Sequence, residues 1–91
     1  MQHEISKKEK LILKALGRVI RNMRKETKKS QRIFAFENDV QKSMISRFEA
    51  CKNEPKLFSI WKISNAFGIK SSEFISLVEE ELDEDINLIE M

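Results

Sequence analysis

The chain is predicted to be all-α, a compact bundle of five helices around one core, and three observations carry that prediction. Two glycines and one proline among 91 residues leave little room for hairpins or long loops. Apolar residues recur at intervals of three and four, and no segment sustains the two-residue alternation of a strand. The length suits a single core and is too short for a second catalytic or ligand-sensing domain.

Ser6-Lys7-Lys8-Glu9 has the form of a capping box, so the first helix is expected from Lys7 to about Thr27. Ile12, Ala15, Leu16, Val19, Ile20 and Met23 form its inward stripe. Gly17, inside that helix, costs about 1 kcal/mol relative to Ala and suits a close helix crossing. Lys28-Lys29 is the connection, and Ser30 caps a short second helix ending near Asn38. Asn38-Asp39 supplies the next turn, where Asp tolerates a left-handed backbone better than most residues.

The third helix is expected from about Gln41 to Ala50. At 100° per residue, Met44, Ile45 and Phe48 fall within an arc of roughly 100°, with Lys42, Ser43, Ser46 and Arg47 opposite. Cys51 stands at its end, and Pro55 closes the following loop. Leu57, Ile60, Ile63, Ala66 and Phe67 mark a fourth helix ending at Gly68. A fifth starts at Ser71 or Ser72 and carries Phe74, Ile75, Leu77 and Val78 inward.

The net charge of +2 hides a strong asymmetry. Residues 1–70 hold all 17 Lys and Arg against seven acids, while residues 71–91 hold eight acids and no Lys or Arg. A basic body suits a polyanion, because neutralised phosphates release condensed counterions. The acidic end lies outside such a footprint. It reads either as a solvated, fraying helix end or, given Leu82, Ile86, Leu88 and Ile89, as a partner-binding or dimerisation segment. The chain is therefore divided at residue 80, into a domain over 1–80 and an acidic tail over 81–91.

Two short helices at a sharp angle, the second with an exposed polar face, form the layout of a helix-turn-helix. Ser30-Gln31, two spacers, Phe34-Ala35, the turn at Asp39, then Ile45 and Glu49 resemble the phage-repressor (Cro/repressor, XRE-like) family. The resemblance runs from about Leu16 to Phe74. It implies a small transcriptional regulator, a repressor-like domain that puts its third helix into the major groove of double-stranded DNA. The family favours Gly at the positions of Asp39 and Cys51, so the turn and the third helix's cap depart from its pattern.

Lys42, Ser43 and Arg47 match the family's base-reading positions. Arg47 is the strongest candidate, since a guanidinium can bond both O6 and N7 of guanine. Gln31 matches the glutamine that contacts phosphate and buttresses the reading side chains. Ser30 and Gln31 at a helix start, with Ser46, Lys52 and Asn53 on the other side, are candidates for the DNA backbone. Arg24 and Glu49 match a family pair that forms a largely buried ion pair, and are expected as scaffold.

One recognition helix reads few base pairs, so a homodimer on a palindromic operator is expected. Phe58 and Trp61, an i, i+3 aromatic pair, are expected either to pack against the fifth helix or the tail, or to form a self-association patch. The alternative function is an antitoxin-type or other interaction module that uses the same fold to bind a protein, through the tail or the Phe58/Trp61 surface. His3 and Cys51 are too few and too far apart for a zinc site, and no catalytic triad or Gly-rich phosphate loop is present. No enzyme activity and no cofactor are expected. With no apolar run near 18 residues and no apolar core in MQHEISKKEK, the expected compartment is the cytoplasm.

Overall fold

The computed structural model describes residues 5–89. His3 lies outside them. The described residues form five helices: α1 (Lys7–Glu26), α2 (Gln31–Glu37), α3 (Lys42–Glu49), α4 (Leu57–Ala66) and α5 (Ser71–Glu80). α1 packs against α3 and α5, α2 against α3, and α4 against α5.

The start of α1 is the capping box expected from the sequence. Ser6 Oγ accepts from the Glu9 amide at 3.2 Å, and Glu9 Oε1 accepts from the Ser6 amide at 2.9 Å. Ser30 Oγ caps α2 by accepting from the Ile33 amide at 3.1 Å. The core takes Leu13, Leu16, Val19 and Ile20 from α1, Phe34 from α2, Ile45 and Phe48 from α3, Ile60 and Ile63 from α4, and Phe74 and Val78 from α5. Phe34 and Phe67 stack with centroids 4.9 Å apart, tying α2 to the end of α4. Ser64 is fully buried, and its hydroxyl is satisfied by donating to the Ile60 carbonyl at 2.7 Å.

Helix ends reuse one device. Asp39, Cys51 and Gly68 each follow a helix in the left-handed region, at φ of 54°, 62° and 73°. In each case the next amide donates five residues back: Val40 to Ala35 at 3.0 Å, Lys52 to Arg47 at 3.1 Å, Ile69 to Ser64 at 3.0 Å. Lys28 takes φ 61° after α1, a left-handed residue that the sequence reading passed over. The capping bonds hold the conformation whatever the side chain, so Asp and Cys occupy positions that favour glycine.

Three expectations change. Leu57, expected with Ile60 and Ile63 in the inward stripe of α4, is 65% exposed. Ile75 is 42% exposed, because Phe74 and Val78 already fill the inward arc of α5. Residues 81–89 do not continue α5; they fold back antiparallel along α1 with most side chains exposed. Glu81 pairs with Arg18 at 3.6 Å, Leu82 and Ile86 share a crevice with Leu11 and Ala15, and Lys8 Nζ donates to the Asn87 carbonyl at 3.0 Å.

Candidate nucleic-acid interface

α2 and α3 meet through the Asn38-Asp39 turn, and α3 lies across α1 by its buried face. Ile45 and Phe48 enter the core and Met44 is half-buried against it. That leaves Lys42, Ser43 and Arg47 exposed on the opposite face, with Ser46 half-buried at its margin. Ser43 and Arg47 border a groove shared with Asn53 and the start of α4. The groove brings Ser43, Arg47 and Asn53 together, and adds Lys56 and Ser59, which the sequence reading missed. A lysine next to the proline that ends the loop was the available signal for Lys56. Lys52 is exposed outside that groove.

A clamp fixes the far end of α3. The Arg24 guanidinium donates from Nε to Glu49 Oε2 at 2.6 Å, from Nη2 to Glu49 Oε1 at 2.9 Å, and from Nη1 to the Lys29 carbonyl at 2.8 Å. Gln31 Nε2 donates to Glu49 Oε1 at 3.1 Å. One fork therefore joins α1, the entry to α2 and the end of α3. The Arg24 and Glu49 side chains are only 12% and 5% exposed. Burial by itself pushes the Glu49 carboxyl up. The hydrogen bonds from Arg24 and Gln31, with the charges of Arg24 and Arg21, outweigh it and hold the group below the usual carboxylate value. The hydrogen bond to Glu49 raises Arg24 in turn, against the opposing effect of its own burial.

Gln31 is thus half-buried with its amide nitrogen committed to Glu49, while Ser30 is exposed with its hydroxyl committed to the α2 cap. Both sit at the start of α2, where Ser30 Oγ already takes the Ile33 amide. Among the described residues no group of three or more His, Cys, Asp or Glu is placed to hold a metal ion. No helix among them is long and apolar enough to cross a membrane.

Comparison with known proteins agrees with this geometry. A helix-turn-helix family model matches residues 20–74, more than half of the chain and the whole of α2, α3 and α4. The chain belongs to the helix-turn-helix family of the XRE, Cro/repressor-like type, a family of DNA-binding regulators. No curated protein and no solved structure shows significant similarity to it.

Proposed function

We propose that this protein is a sequence-specific transcriptional repressor of the cytoplasm that binds a palindromic operator as a homodimer. The observation that carries the reading is the orientation of α3: its polar face is exposed while its apolar face is buried and its end is clamped. A reading helix must hold its register in the groove, and the Arg24–Glu49–Gln31 clamp ties α3 to both neighbouring helices. Arg47 reads a guanine, worth about 1–3 kcal/mol of discrimination, with Lys42 and Ser43 beside it. Ser30, Gln31, Ser46, Lys52 and Asn53 position the domain on phosphates, and Lys56 joins them.

Leu57, Phe58 and Trp61 support the dimer. Phe58 is 78% exposed, while Trp61, 52% exposed, borders a pocket with the start of α5, so the packing that the sequence allowed covers Trp61 in part. Apolar groups in such a cluster gain by being covered, and aromatics are enriched in interface cores. All three lie on α4, where a two-fold contact would pair two copies of the domain. A second reading, an antitoxin-type module that binds a protein, is favoured by one further observation: Ile33 and Phe36 on α2 are also exposed.

Selection from a random duplex library tests the proposal. A palindromic consensus with half-sites about one helical turn apart is expected. Recovery of unenriched sequence would reject operator reading and favour the protein-binding alternative.

A further inference from the structure

Lys7, Lys10, Lys14, Arg18, Arg21 and Lys25 are all exposed on α1. At 100° per residue they fall within an arc of about 80°, and the helix's acids, Glu9 and Glu26, lie outside it. At 1.5 Å per residue the ridge runs roughly 27 Å, most of one turn of duplex DNA. On one flank lies the end of α3, against Gly17. On the other lies the segment after α5, in contact with Lys8, Leu11, Ala15 and Arg18.

We propose that this ridge is a second phosphate-binding surface, which holds DNA flanking the site read by α3, and that the acidic strap competes with phosphate for it. The proposal rests on the DNA-binding reading above. The end of the ridge adjoins the helix-turn-helix, because Arg24 bonds the Lys29 carbonyl and shares Glu49 with Gln31, bringing the end of α1 against the start of α2. DNA seated on the first turn of α2 therefore continues toward the ridge.

An anionic membrane is the weaker partner. A surface helix binds lipid by inserting its apolar face, and that face of α1 is spent in the core through Leu13, Leu16, Val19 and Ile20.

The strap is built for competition. Leu82 and Ile86 anchor it to α1, while Asp83 and Glu84 border the same crevice with Arg18, Asp85 is exposed next to them, and Glu81 already pairs with Arg18. Carboxylates held there occupy the place that phosphates would take.

The test measures duplex affinity against salt for the full chain, on mixed-sequence duplexes of about 10 and about 40 bp, one half-site and several turns. Lys10→Gln/Lys14→Gln is compared with Lys62→Gln/Lys70→Gln, which removes the same charge away from the ridge. On the long duplex the ridge pair is expected to lower affinity about tenfold and flatten the slope of log K against log salt by about 2, near 0.9 per lost phosphate contact. On the short duplex it should match the control. Glu81→Gln/Asp83→Asn/Glu84→Gln/Asp85→Asn, three exposed positions and the half-buried Glu81, is expected to raise affinity several-fold on the long duplex. A ridge pair that behaves like the control on the long duplex overturns the ridge, and so does one that weakens short and long duplexes equally. A strap variant with unchanged affinity overturns the competition. Should these failures occur while Arg47→Ala still impairs base selection, the helix-turn-helix reading stands alone; a wild type that binds no duplex removes both.

Discussion

Gly17 of α1 lies against Cys51 at the end of α3 so closely that a Cβ on Gly17 would stand 2.9 Å from the Cys51 sulfur. The same Cβ would be 2.8 Å from the Phe48 carbonyl oxygen, which is backbone and cannot swing aside. Gly17→Ala should therefore push α3 off α1, despite the gain of about 1 kcal/mol in helix propensity. A net loss of about 1–3 kcal/mol is expected, read as a lower urea midpoint, together with weaker duplex binding. A variant as stable as wild type would mean that the crossing has slack.

The Arg24–Glu49 pair makes a pH prediction. The folded Glu49 is held below the usual value, so its contribution to stability is complete above the unfolded glutamate value of about 4.3. It is lost as pH falls from there through the folded value. Glu49→Gln should flatten the fall in melting temperature over that acid range. Arg24→Ala strands a buried carboxylate and should cost about 3–5 kcal/mol at neutral pH.

Asp39 separates conformation from chemistry. Its φ of 54° is one that glycine takes freely and that β-branched residues resist. Asp39→Gly should leave stability within about 0.5 kcal/mol, since relieved strain offsets the added freedom of the unfolded chain. Asp39→Val should cost roughly 1–2 kcal/mol. Equal midpoints for the two in urea would show that the turn is not held left-handed.

The exposed aromatic pair predicts the oligomeric state. Phe58→Glu puts a charge at the centre of the proposed two-fold contact and should shift sedimentation from dimer to monomer with the helical circular-dichroism signal unchanged. If wild type and variant sediment alike, the interface lies elsewhere.

The helices were legible because their signals are local. Ser6-Glu9 and Ser30 announce helix starts, and the apolar spacing gives the inward faces of α1 and α3. Lys28 was not legible, since a lysine carries no mark of a left-handed backbone. Neither was the path of residues 81–89, whose Leu82 and Ile86 find their partners on α1 some 70 residues earlier in the chain. Local composition showed an acidic, partly apolar segment; only the tertiary fold shows which surface it covers. For the interface, helical spacing was enough to put Lys42, Ser43 and Arg47 on one face. The commitment of Gln31 to Glu49 and the approach of Lys56 to the reading face depend on how α2, α3 and α4 pack together.

Base reading by Arg47 is tested by parallel duplex selection with wild type and Arg47→Ala. The wild type should give a palindromic consensus, and the variant the same consensus blurred at one position in each half-site. An identical, equally sharp consensus from both proteins would contradict it.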